Sequence, residues 1–161
     1  MASGHLVDAT NCNINSSTVK GISVRLLQVI AHKQQLTIVV GDIGNTYVNV
    51  LTKEKIYTRA GDEFGPYAGM IVIVWKALYR LQTSGKRWHA HFVDTLRNMG
   101  FKPTHYDANL WIKLVEDWES YEYICMHVDD FQIIAKNPEA IMENPEGLYN
   151  QGNWTTWILL G

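Results

Sequence analysis

Two short apolar runs, Tyr123-Ile124-Cys125-Met126 and Phe131-Gln132-Ile133-Ile134-Ala135, flank the adjacent carboxylates Asp129 and Asp130. Apolar runs of about 4–8 residues bounded by turn residues are the signature of strands, so the pattern predicts a β-hairpin with both acids at its tip. The tip, His127-Val128-Asp129-Asp130, contains neither Gly nor Asn. That is a poor choice for a two-residue hairpin, whose centre favours positive φ. Aspartate is also a good turn residue, and for an isolated hairpin this plain explanation is the stronger one. Two like charges in a tight turn make sense if a cation offsets their repulsion.

The rest of the chain alternates between helical and strand spacing. Val19, Ile22, Leu26, Val29 and Ile30 recur on one helical face, with Lys20 and Gln28 off it and Ser17 or Thr18 able to cap. Leu36-Thr37-Ile38-Val39-Val40 predicts a buried strand that Gly41-Asp42 ends, putting a further carboxylate at a strand's carboxyl end. Taken alone, Asp42 is more often a cap or a turn residue. Glu54 to Tyr57 and Ile71 to Trp75 predict short strands, with Gly61, Gly65, Pro66 and Gly69 marking the loop between them. Ser84 to Met99 is the clearest helix: Trp88, Phe92, Leu96 and Met99 share a face, Thr83 or Ser84 can cap it, and Gly100 is placed to end it. Pro103 blocks any continuation. Asn109 to Val115 and Tyr121 to Met126 predict strands joined across Asp117 to Ser120, giving the acid-bearing hairpin a further antiparallel neighbour. Pro138 starts a short helix to Met142, which Pro145 and Gly147 break.

Composition narrows the class. The 161 residues suit one domain, and 47% apolar with 19% charged residues is ordinary for a soluble globular chain. A formal charge of −2 is not that of a strong independent nucleic-acid binder, which is usually basic. Cys12 and Cys125 lie far apart, one of them in an apolar strand, as in a reduced intracellular protein with a buried thiol. No stretch of about 18 apolar residues occurs, and the opening does not resemble a signal peptide. Residues 1–17 are polar and Asn-rich, and an extended or loosely held segment is expected there.

HVDD, entered from an apolar strand and left through FQIIA, resembles the YxDD box of reverse transcriptases of the copia-type retrotransposon class. Thr18 to Leu27 (TVKGISVRLL), Gly41 to Tyr57 (GDIGNTYVNVLTKEKIY), Lys76 to Trp88 (KALYRLQTSGKRW), Gly100 to Trp111 (GFKPTHYDANLW) and Trp157 to Gly161 (WILLG) follow in that family's order and spacing. The resemblance covers nearly the whole chain. It implies an α+β fold, a palm-like antiparallel sheet carrying the acids and backed by two principal helices. Residues 18–161 would form that palm with part of the fingers, and without the thumb or the ribonuclease H domain.

The implied activity is RNA-directed DNA polymerisation from dNTPs on an RNA/DNA template-primer. Such transfer is mostly positioning and charge neutralisation, which two divalent ions about 3.5–4 Å apart can supply. Mg²⁺ or Mn²⁺ wants oxygen ligands. By the resemblance Asp42 and Asp129 are the principal catalytic metal ligands and Asp130 a supporting acid. Tyr47 would lie beneath the incoming sugar and exclude a 2′-hydroxyl, though it also fits a core Tyr. Thr83 and Ser84 fall in the block that helps hold the templating pair. His127 replaces the usual Tyr of the box, giving a titratable ring near the primer end. Arg80 stands for a Gly, Thr83 for a Gln and Gly85 for a Pro, and Pro145 and Gly147 interrupt a region usually helical. The partners expected are other segments of a retrotransposon polyprotein, with no membrane. The expected location is cytoplasmic, or a virus-like particle for an active element. A catalytically silent palm-like remnant that binds nucleic acid or protein weakly is the alternative, and a metal-dependent nuclease a distant third.

Overall fold

The computed structural model describes residues 18–44, 47, 50–78, 84–115, 120–128, 130–143 and 154–159, with positions 53, 54 and 154–159 described by backbone alone. The elements run α1 (Gly21–Gln34), β1 (Thr37–Ile43), β2 (Leu51–Arg59), a 3-10 turn (Asp62–Tyr67), β3 (Ile71–Lys76), α2 (Ser84–Asn98), β4 (Lys102–Pro103), β5 (Leu110–Leu114), β6 (Tyr121–His127), β7 (Asp130–Ala135), α3 (Pro138–Met142) and β8 (Trp154–Leu159). β2 and β3 pair with each other, while the other strands form a six-stranded sheet in the order β4-β5-β6-β7-β1-β8. Each neighbouring pair is antiparallel. The class is therefore α+β, as expected.

Side-chain alternation divides this sheet between two cores. Phe131, Ile133 and Ala135 of β7, Ile124 and Met126 of β6, and Ile43 of β1 pack with Trp88, Phe92 and Leu96 of α2. The intervening Ile134, Cys125 and Ile38 pack with Leu27 and Ala31 of α1. The two principal helices are present, but on opposite faces of the sheet. A strand covered on both sides reads as a continuous apolar run, which is why FQIIA shows no polar alternation.

Helix α1 differs from its sequence-based expectation. It begins at Gly21 with Lys20 at its N-cap, so Thr18 is not its cap, and Ser17 lies outside the described residues. The expected core positions Ile22, Leu26 and Val29 are 65%, 57% and 55% exposed, whereas Ser23, Leu27 and Ala31 are buried. A distant carboxylate decides the rotation. Buried Asp107 accepts hydrogen bonds from the Lys20 backbone N–H and the Ser23 hydroxyl, both 2.7 Å, and from the Asn109 N–H at 3.1 Å. An anion at a helix N-terminus also opposes the helix dipole favourably. Burial raises the Asp107 pKa, but the hydrogen bonds from Ser23, Lys20 and Asn109 outweigh it and hold the carboxyl below its usual range.

Other boundaries shift by a few residues. α2 ends at Asn98 with Gly100 at φ +86, as its glycine implied. Pro103, expected as a breaker, lies in the two-residue edge strand β4, where a missing N–H is tolerated. α3 is present, its N-terminal turn capped by the Asn137 side chain. β8, paired along β1, has no forerunner in the apolar pattern described above. Cys125 is buried, and burial followed by the charge of Asp107 pushes its thiol up to about 12, so it is inert rather than reactive. Cys12, the polar segment 1–17, and Pro145 and Gly147 lie outside the described residues. Among the described residues no helix is long and apolar enough to cross a membrane.

Candidate active site

Asp42 is the penultimate residue of β1, not its terminator, and the register places it directly opposite Asp130 of β7. On the other side of β7, Asp130 is opposite His127 of β6. Alternation puts all three on the face covered by α1, in step with Val40, Gln132 and Cys125. His127, Asp130 and Asp42 thus form a row across three strands at the hairpin end of the sheet. Directly opposed residues have Cβ atoms about 4.5–5.5 Å apart, close enough for two carboxylates to share an ion and for like charges to repel without one. Asp42 is half-buried, while Asp130 and His127 are exposed.

Glycine brings β1 and β7 together at this point. Gly41 faces Phe131 across the ladder, and a Cβ at Gly41 would run into the Phe131 ring. The Gly41-Asp42 pair, expected to end the strand, instead lets a buried aromatic cross the backbone while the chain continues to Ile43. A methyl group there must displace a ring that is 2% exposed. Gly41→Ala is therefore expected to destabilise the fold by about 1–3 kcal/mol, read as a lower urea midpoint, through overpacking. A variant of parental stability would show that the ring has room to move.

The hairpin turn is anchored from α2. Val128 has φ +61, and its carbonyl accepts a 2.9 Å hydrogen bond from the indole N–H of buried Trp88. From the other face, the Val19 N–H donates to the Met126 carbonyl at 3.0 Å, tying the start of α1 to the end of β6. A cavity of about 270 Å³ opens beside Asp130, its lining including Val19, Val24, Val40 and Cys125 together with His127 and Asp130.

Of the other residues singled out by sequence, Tyr47 is half-buried against the α2 core and its carbonyl accepts from the Val50 N–H at 3.2 Å. Ser84 opens α2, 2% exposed, with its hydroxyl donating to the Leu78 carbonyl at 2.7 Å. Asp129, Thr83 and Arg80 lie outside the described residues. Among the described residues no group of three His, Cys, Asp or Glu could hold a metal. Asp42 and Asp130 nevertheless offer hard oxygen donors from neighbouring strands, the chemistry that Mg²⁺ and Mn²⁺ accept.

Sequence reasoning missed Trp88, Phe131 and Asp107 as supports of this region. Trp88 and Phe131 carry the same apolar signal as any core aromatic. Asp107 had a faint local mark: Thr104 lies three residues before it, and its hydroxyl accepts the Asp107 N–H while donating to the Asp107 carbonyl.

A family model described as reverse transcriptase (RNA-dependent DNA polymerase) matches residues 6–151 of the chain. No solved structure matches it.

Proposed function

The chain belongs to the reverse transcriptase (RNA-dependent DNA polymerase) family, and from that premise we propose that residues 18–161 act as the palm of a copia-type retrotransposon polymerase. The observation that carries the proposal is the cross-strand register of Asp42 and Asp130 on one sheet face, beside the hairpin that also bears Asp129. Family members act on a nucleic-acid template and dNTPs, and the proposed substrate pair is an RNA/DNA template-primer and a dNTP. The proposed setting is a retrotransposon polyprotein, in the cytoplasm or a virus-like particle.

Each residue has a role within that proposal. Asp42 and Asp129 are the principal metal-binding carboxylates, and Asp130 supports them. Divalent cations held there would lower the pKa of the primer hydroxyl and neutralise charge on the triphosphate. His127, at the end of the same row, lies on the side where the primer terminus is proposed to rest. Tyr47 limits the space beneath the sugar, a role that its partly buried packing against the α2 core supports. Thr83 and Ser84 support the templating pair, with Ser84 steadied by its bond to the Leu78 carbonyl.

Affinity for template-primer comes largely from basic contacts to phosphate and is salt-dependent. This chain carries 14 Lys and Arg against 16 Asp and Glu, and of the α2 cations Arg97 is already paired with Asp94 at 3.2 Å, so Lys86 and Arg87 supply the modest basic surface of that helix. The chain is therefore expected to bind Mn²⁺ weakly in calorimetry and to extend a labelled primer on heteropolymeric RNA slowly and distributively. Raising salt from about 50 to 200 mM should suppress extension steeply. Long processive products at the higher salt would show that this chain holds its template without further basic segments. An intact fold that binds no Mn²⁺ would favour a silent palm-like module instead.

A further inference from the structure

The hairpin that bears Asp129 and Asp130 turns through a residue poorly suited to its conformation. Val128 has φ +61, in the left-handed region, where a β-branched side chain is among the least tolerated. Such a conformation persists when surrounding contacts over-determine it. One contact is the cross-strand pairing of His127 with Asp130. Another is the 2.9 Å hydrogen bond from the Trp88 indole N–H to the Val128 carbonyl. Trp88 is 1% exposed and packed against Phe92, so its donor cannot swing to solvent. The accepting carbonyl belongs to the planar peptide unit whose nitrogen is that of Asp129. A bond to its oxygen therefore restrains the turn between His127 and Asp130.

We propose that Trp88 is a positioning residue for Asp130: its indole N–H holds Val128 left-handed and so sets how the hairpin presents Asp130 opposite Asp42. The consequence for metal binding rests on the polymerase proposal, whereas the hold on the turn does not. Trp111 provides a comparison within the same core cluster. It is also 1% exposed, but its indole N–H has no hydrogen-bond partner among the described residues. Replacing either indole by phenyl removes similar volume from the core. Substitution at Trp88 alone removes a donor to the turn.

The test compares Trp88→Phe, Trp111→Phe and the double variant Trp88→Phe/Val128→Gly with the parent chain. In metal-free protein, the 13C shifts of residue 128 should leave the left-handed range in Trp88→Phe and stay in it in Trp111→Phe. Mn²⁺ affinity by calorimetry should fall about tenfold in Trp88→Phe, as when a second partner of a metal ligand is removed, and by less than about threefold in Trp111→Phe. It should recover in the double variant, because glycine adopts positive φ without steric penalty. In the parent, where folding is not in question, Mg²⁺ should move the Trp88 indole proton signal and leave that of Trp111 in place. An unmoved Trp88 signal, equal weakening in both Phe variants, or no rescue by glycine overturns the inference. A parent chain that binds no Mn²⁺ overturns the polymerase proposal and the metal consequence with it, while the metal-free shifts of residue 128 decide the hold on the turn. Mn²⁺ binding in the parent that Trp88→Phe leaves undiminished overturns the positioning role alone.

Discussion

Asp42→Asn is expected to slow primer extension on the order of 10³-fold while the fold becomes slightly more stable. The loss follows from removing a carboxylate whose bound cations would supply several kcal/mol of transition-state charge stabilisation. The gain follows from the register: Asp42 and Asp130 are directly opposed like charges, and such pairs destabilise a sheet by about 0.2–1 kcal/mol. Extension at saturating Mg²⁺ and urea unfolding in metal-free buffer read the two effects separately. An active site that opposes folding and supports chemistry should show both signs in one variant. A stability gain without any activity to lose would mark a silent palm. Asp130→Asn, altering the supporting acid, should leave measurable extension, and equal losses in both variants would contradict the assigned order of importance.

Asp107→Ala is expected to cost about 2–4 kcal/mol, because it leaves the Ser23 hydroxyl and the Lys20 and Asn109 N–H groups without their charged acceptor in a buried setting. Its signature is in the acid limb of stability. The folded carboxyl titrates below its ordinary value, so the unfolded chain binds more protons in acid. The contribution of Asp107 is fully present above the unfolded pKa of about 3.9 and disappears as pH falls through the lower folded value. Unfolding free energies measured between pH 2 and 6 should therefore depend less on pH in the variant than in the parent. A parallel acid limb would assign that stability to other carboxylates. Ser23→Ala should lose a smaller part, about 1 kcal/mol, through the same helix N-terminus. α1 also walls the cavity beside Asp130 through Val24 and Gln28, so unseating the helix reaches the candidate site.

The amino-acid sequence determined every element whose signal is local. The α2 stripe of Trp88, Phe92 and Leu96, the glycine that ends it, the strands flanking the acid pair and the Asn137-capped turn all depend on neighbours within a few residues. The family, too, was legible in short motifs and their order. Tertiary structure alone decided which face of α1 is buried. That helix has apolar residues on two sides, so periodicity cannot choose between them, and the choice falls to Asp107, more than 80 positions away in the chain. It also decided that Gly41 admits the Phe131 ring rather than ending β1, since a close approach is a property of two strands and not of one. The opposition of Asp42 and Asp130 is of the same kind. Each acid was visible as a polar residue at the end of an apolar run, but the pairing register that brings them together forms only when distant strands meet in one sheet.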